Sequence, residues 1–327
     1  MGARICILAA VVSTLCIGTA CSRTNNSLTS SDAATNSAKC QPRAQAISWL
    51  GEALVAPQLP SDIRMRFEAE LASAQADAIE HPHDVNAQIW LGRRLAYLGQ
   101  YDKAIAVFGR ALIEHPESAA LYRHRGHRYI TTRNLGAARR DFQQAANLMV
   151  GQPDEVEPDG LPNAKNMPRS TLQGNVWYHL GLIEFLSGNF PAAEEAFRRA
   201  IAVSQNDDST VAALNWLYMI LRRQDRKAEA DAALAHVNPR MDVIENQAYL
   251  RLLLLYRGEL TLDDFPAATG TENWQDPAIS FAIAHLWLVD GNETTAYAQW
   301  QNLAQNGRWD AFGTIAAEAE LVRRNPL

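Results

Sequence analysis

Two stretches decide the fold. Residues 85–114 read VNAQIWLGRRLAYLGQYDKAIAVFGRALIE, and residues 119–148 read AALYRHRGHRYITTRNLGAARRDFQQAANL. Gly92, Ala104, Phe108 and Ala111 of the first return 34 residues later as Gly126, Ala138, Phe142 and Ala145. A fixed period of this length marks stacked helical hairpins, each unable to bury its apolar face alone and each completed by its neighbours.

Within each unit the turn and second helix follow steps of five, four and three residues, as in Gly99, Ala104, Phe108, Ala111. The steps recur at Arg133, Ala138, Phe142, Ala145; at Gly188, Ala193, Phe197, Ala200; at Arg223, Ala228, Ala232, Ala235; and at Gly291, Ala296, Trp300, Leu303. Small residues at these steps let two helices approach, and the aromatic fills the wedge toward the next hairpin. Long β-branched alternating runs are absent. Apolar residues recur instead at helical spacing, as in Ile63, Phe67, Leu71 and Ala74, where Ser61 is the expected N-cap and Pro82 the stop.

Through these positions, together with Leu91-Gly92, Tyr101, Pro116, Tyr122, Tyr129, Trp177, Leu180-Gly181 and Phe190, the chain resembles the tetratricopeptide-repeat family. It departs where Gln88 replaces an aromatic, where Trp216 and Ala284 replace the close-packing glycine, and over 246–265. The resemblance implies an all-α, right-handed α-solenoid of antiparallel helix pairs, about six repeats with a capping N-terminal helix. It also implies a protein or peptide partner held in the concave groove, with no common catalytic residue.

The expected organisation is a signal peptide over 1–20, a Ser/Thr/Asn-rich tether over 21–44 and N-terminal capping helices over 45–84. Repeats 1–2 follow over 85–150, an acidic insertion loop over 151–173, repeats 3–4 over 174–237 and degenerate C-terminal repeats over 238–327.

Arg4 followed by the uncharged run Ile5–Ala20 reads as an export signal, and its sixteen residues are short for a membrane span. Gly18-Thr19-Ala20-Cys21 resembles a bacterial lipobox, with Gly18 where Leu is usual; the resemblance implies lipidation of Cys21. Cys40 would then be a lone thiol. With ordinary cleavage after Ala20 instead, Cys21 and Cys40 have the means to close a loop in an oxidising compartment. The polar segment 22–38 lacks the apolar surface to fold, which suits a tether holding a folded body off a membrane. The expected location is the cell envelope, anchored and facing the periplasm or the exterior.

The chain is 47% hydrophobic with net charge −6, which disfavours bulk nucleic-acid binding. Yet residues 85–150 hold ten Lys and Arg against four Asp and Glu. The stripe opposite Leu91-Gly92 carries Ile89, Arg93 and Tyr97, then Arg123, His127 and Thr131. It continues with Tyr178, Leu182 and Phe185, and ends with Ala213, Leu217 and Ile220. The expected groove therefore runs from basic to apolar, with Arg93, Tyr97, Arg123, His127 and Tyr178 as candidate partner-binding residues. Such a field steers an acidic or carboxylate-bearing ligand; the plainer reading is a solvated helix face.

Gly126 and Gly181 lie 55 residues apart, so 21 have been added to the register. The added segment holds Asp154, Glu155, Glu157 and Asp159, then Gly160-Leu161-Pro162. It reads as a plug or gate folded onto the basic groove, as a divalent-cation loop, or as a solvated excursion; the four carboxylates lack the EF-hand alternation. No phosphate-cradling loop, nucleophile elbow or paired-His zinc helix occurs, so neither an enzyme, a cofactor nor a metal is expected. His124 and His127 lie one turn apart without an evident third ligand. Trp274, Trp287, Trp300 and Trp309 read as core before they read as a sugar platform. The leading expectation is a lipid-anchored interaction scaffold. The alternative is an envelope lipoprotein that encloses a small ligand in a groove gated by the insertion.

Overall fold

The computed structural model describes residues 43–265 and 277–324. The signal peptide, Cys21, Cys40, Trp274 and nearly all of the tether lie outside them. A short antiparallel hairpin, β1 (Ala44–Ile47) and β2 (Ala53–Val55), precedes α1 (Ser61–Glu80). Five helical hairpins follow among the described residues. They are α2 (Val85–Tyr97) with α3 (Tyr101–Glu114), α4 (Ala119–Thr131) with α5 (Leu135–Leu148), α6 (Leu172–Leu186) with α7 (Phe190–Val203), α8 (Asp207–Arg223) with α9 (Lys227–Ala233), and α11 (Pro277–Val289) with α12 (Glu293–Asn306). A single helix, α10 (Gln247–Tyr256), sits before the fifth pair, and α13 (Phe312–Arg324) ends the array. The result is an all-α solenoid with one small β-element. No helix among the described residues is long and apolar enough to cross a membrane.

Side chains start the first helix of four successive hairpins. Asp84, Ser118, Thr171 and Asn206 each accept a backbone N–H from Ala87, Leu121, Gly174 and Ser209, at 2.7, 3.3, 3.1 and 3.0 Å. Each hairpin then turns through one left-handed residue. Gly99, Gly188 and Gly291 take it at no steric cost, and Arg133 takes it at φ 65°. These four residues are the first positions of the sequence register.

The fourth unit departs from the register expected for it. Its left-handed residue is Asp225, two places beyond Arg223. Counting five, four and three from Asp225 gives Ala230, Leu234 and Val237, all buried, whereas Ala228, Ala232 and Ala235 are exposed. The expected alanines matched because alanine is frequent here; the turn conformation sets the true phase.

The N-terminal expectation is also corrected. Residues 45–84 hold one helix and a β-hairpin rather than capping helices throughout, and β1 begins inside the expected tether at Ala44. Ser61 is the first helical residue, and its hydroxyl makes no cap. In the hairpin turn the Ser48 hydroxyl accepts from the backbones of Leu50 and Glu52, and Gly51 adopts φ 88°.

Close approach within the hairpins rests on glycine. A Cβ on Gly92 would lie 2.2 Å from the Phe108 ring, and one on Gly181 would lie 2.7 Å from Phe197. In the fourth unit Trp216 stands at the equivalent place, stacks on Phe197 at 6.1 Å and donates its indole N–H to the Tyr178 hydroxyl at 2.7 Å. Gly92→Ala is therefore expected to destabilise by about 1–3 kcal/mol through overpacking, despite the helix propensity of alanine. Thermal denaturation checks this, and Phe108→Leu in the same chain is expected to restore part of the loss.

Candidate functional site

The insertion is folded. Val156 pairs with Thr171 as an isolated bridge, the Glu157 amide donates to Ser170 at 3.0 Å, and the Leu172 amide donates to Glu155 at 2.8 Å. This brings its acidic window down on the basic half of the groove. Glu157 is buried, 3.0 Å from the Arg123 guanidinium and 3.6 Å from the His124 ring, and it accepts from the Asn175 amide. Arg93 donates to the Pro158 carbonyl at 2.8 Å, and Arg94 donates to the Gly160 carbonyl at 3.1 Å. Gly160 lies so close that a Cβ there would fall 1.5 Å from the Tyr97 hydroxyl oxygen. No larger residue fits without lifting the loop or moving Tyr97.

The four carboxylates of the window diverge. The Asp154 carboxylate accepts from the Gln173 amide at 2.9 Å, at the start of α6, and the Glu155 backbone closes the bridge. Glu157 enters the groove. The Asp159 carboxyl is pushed up by burial and drawn back in part by the Arg93 guanidinium. Among the described residues no three His, Cys, Asp or Glu side chains converge as a metal set.

The other end of the insertion is held by Asp208, at the start of α8. Its buried carboxylate accepts from the Arg169 guanidinium at 2.9 Å and from the amides of Ile244, Glu245 and Asn246 at 3.0, 2.8 and 2.9 Å. Burial pushes this carboxyl up, but the three amides and Arg169 outweigh it and hold the group below its ordinary value. Sequence reasoning missed Asp208; an acid in the first turn of a helix is common, and nothing local says which backbone it will bind.

The five candidate residues gather around two adjoining cavities. Arg93, Tyr97, Arg123 and His127 line one of about 150 Å3, together with His124 and Arg128. Arg123, His127 and Tyr178 also line a cleft of about 340 Å3, with Tyr249, Phe312 and Asn175. Burial drives His124 and His127 well below the ordinary histidine value and His179 down to about 3, each lowered further by neighbouring arginines. The neutral tautomers follow from their partners. The His179 Nδ1 donates to the Asn175 carbonyl at 2.6 Å, and the His124 Nδ1 accepts from Arg123 at 3.0 Å, which turns its Nε2–H toward Glu157.

The rest of the expected groove is not a surface. Leu182, Phe185, Ala213, Leu217 and Ile220 are 0–2% exposed. Phe185 meets Phe281 of α11 at 6.0 Å, and Arg323 of α13 donates to the Phe185 carbonyl at 3.0 Å. The apolar end of the stripe is thus core, covered by the C-terminal helices. Trp300 is core as well, while Trp309 donates to the Val55 carbonyl at 2.7 Å and packs edge-on against Tyr101 at 5.4 Å.

Acid is expected to loosen this region. Histidines whose folded values lie below 6.5 are protonated first in the unfolded chain, so the stability they contribute is complete above about pH 6.5 and declines as pH falls. By pH 5 each of His124, His127 and His179 is expected to have cost about 1–2 kcal/mol. Calorimetry between pH 7.5 and 5 checks this, and His179→Phe, which preserves the stack on Phe142, is expected to flatten the slope.

Residues 85–127 and 174–207 each match the tetratricopeptide-repeat family, so the chain carries tetratricopeptide repeats in two of its hairpin regions. No curated protein sequence matches it. Among solved structures it is similar to MamA, with 15% identity, TM-score 0.40, and coverage of 63% of this chain and 98% of that one. It is also similar to YrrB, described as a tetratricopeptide-repeat protein with an unusual peptide-binding site, at 14% identity and TM-score 0.40, covering 78% and 99% of the two chains. A tetratricopeptide-repeat protein from Parabacteroides merdae shares 13% identity at TM-score 0.44, covering 79% and 93%.

Proposed function

We propose that this tetratricopeptide-repeat protein is an exported, lipid-anchored scaffold that seats a protein or peptide partner in the cleft between α4, α6, α8 and α10. The observation that carries the reading is that this cleft, lined by Arg123, His127, Tyr178, Tyr249 and Phe312, is left open where the insertion and the C-terminal helices cover the rest of the stripe. Its lining is aromatic and apolar with a cationic end, which suits an apolar anchor beside an acidic group. Binding rather than catalysis is the role this lining supports. Export and anchoring rest on the apolar run before Cys21 and on the lipobox-like Gly18-Thr19-Ala20-Cys21.

The test is crosslinking in the cell envelope with a photoreactive residue at Tyr249, compared with Ser170→Trp, which fills the cleft. We expect a discrete adduct in the wild-type background that falls at least tenfold in the variant; an adduct of unchanged yield would contradict the reading. In parallel, palmitate labelling is expected to vanish in Cys21→Ser, and equal labelling would remove the anchor from the account.

A second reading is favoured by size. A cleft of about 340 Å3 is within the usual range of small-molecule sites, and the insertion already roofs its cationic end. Native mass spectrometry of the purified chain separates the two readings: a co-purifying small molecule released by denaturation favours enclosure.

A further inference from the structure

The cavity between α2 and α4 carries more positive charge than the protein supplies partners for. Arg93, Arg123 and Arg128 all line its 150 Å3. Arg123 has Glu157 at 3.0 Å, yet its Nε is buried with no hydrogen-bond partner. Arg93 ends on a carbonyl and on the Tyr97 hydroxyl, and the Asp159 carboxylate feels its field without an ion pair between them. Arg128 makes no ion pair among the described residues; its guanidinium carbon lies 5.9 Å from the centre of the Tyr101 ring. The histidines that share the walls are neutral, so they neither add to nor offset the charge.

Like charges gathered in a poorly solvated space repel: Arg128 is disfavoured by burial and by Arg123 and Arg93, and Arg123 by burial and by Arg93, which Glu157 offsets only in part. Two features say what relieves them. Glu157 shows that a carboxylate oxygen is accepted at this wall, at ordinary charge-assisted distance. At about 150 Å3 the cavity has room for a compact anion of the size of phosphate or acetate. Guanidinium groups present forked donors that match the oxygens of carboxylate and phosphate.

We propose that this cavity binds a small free oxyanion, phosphate or a short carboxylate, held by Arg93, Arg123 and Arg128 beneath the insertion. The site is separate from the partner cleft, which it meets only at Arg123 and His127, and it does not depend on a partner existing.

The test is calorimetric and thermal titration of the purified chain, first dialysed into oxyanion-free buffer. The probes are inorganic phosphate, acetate and succinate, each compared with sodium chloride at matched ionic strength. We expect saturable binding near one ion per chain and a rise in Tm for phosphate or for a carboxylate, but not for chloride. A response to phosphate alone assigns a phosphate site, and a response to acetate or succinate alone assigns a carboxylate site. Arg128→Gln is expected to weaken binding at least tenfold, while melting at or above wild type without oxyanion because a repulsion has been removed. Arg128→Lys, which keeps the charge, should retain measurable affinity, and Arg110→Gln on an exposed face should change nothing. The proposal is overturned if no oxyanion exceeds chloride, or if Arg128→Gln binds as wild type does.

Discussion

Glu318→Ala is expected to lower stability by about 3–5 kcal/mol, because it strands a buried guanidinium. Arg133 occupies the left-handed turn between α4 and α5, where the first and third units use glycine. Its side chain, 2% exposed like that of Glu318, reaches the last helix and makes a forked pair with that carboxylate. Two further guanidinium protons go to the carbonyls of Thr131 at 2.6 Å and Trp309 at 2.8 Å, and the Trp49 amide donates to the same Glu318 at 3.3 Å. One carboxylate thus ties together the β-hairpin, the second repeat and α13. Urea denaturation followed by tryptophan fluorescence measures the loss. Arg133→Met combined with Glu318→Met is expected to recover most of it, since a well-packed apolar pair replaces a buried ion pair at little cost. A loss below about 1 kcal/mol for Glu318→Ala would mean that the pair is hydrated in solution.

Asp208→Asn is the second large effect, expected at about 3 kcal/mol, because an amide cannot accept as a carboxylate does from three backbone donors and Arg169. The loss should be local first. The segment 244–246 and the Arg169 end of the insertion are held by this group, so hydrogen exchange at Ile244, Glu245 and Asn246 should accelerate before global unfolding. The sign with pH follows from the lowered carboxyl. Its contribution is complete above the ordinary aspartate value and is lost as pH falls through the folded value, so Asp208→Asn and wild type should converge in strong acid.

Much of the fold was legible in the chain because the hairpin register is a local property. Gly99, Arg133, Gly188 and Gly291 fall on the turns that the five-four-three steps mark, and Phe108, Phe142, Phe197 and Trp300 fill the wedges behind them. The register slipped where the turn residue was Asp225, since aspartate does not announce a left-handed conformation as glycine does. The β-hairpin was illegible for another reason: its strands are four and three residues long, and they are held by the distant side chains of Glu318 and Trp309.

The candidate site divides in the same way. Helical spacing put Arg93, Tyr97, Arg123, His127 and Tyr178 on one stripe, and the structure brings them together around two adjoining cavities. Spacing along one helix says nothing of what packs across it. Leu182, Phe185, Leu217 and Ile220 therefore looked like the apolar half of a groove, although α11 and α13 return to cover that part of the stripe. Asp208 went unread because its partners lie 36 residues and more away, and Arg128 because helical spacing does not say which charges a side chain will lack.

The insertion is seated on the basic groove through Glu157 on Arg123 and Pro158 on Arg93. Residue-resolved hydrogen exchange at the Glu157 and Leu172 amides tests it most directly. Both amides donate to carbonyls within the seated loop, so both are expected to exchange far more slowly than unstructured chain, and to lose that protection together in Arg123→Gln while α6 keeps its own. Exchange of both at unstructured rates in the wild type, with α4 and α6 fully protected, would show an open groove and contradict the account.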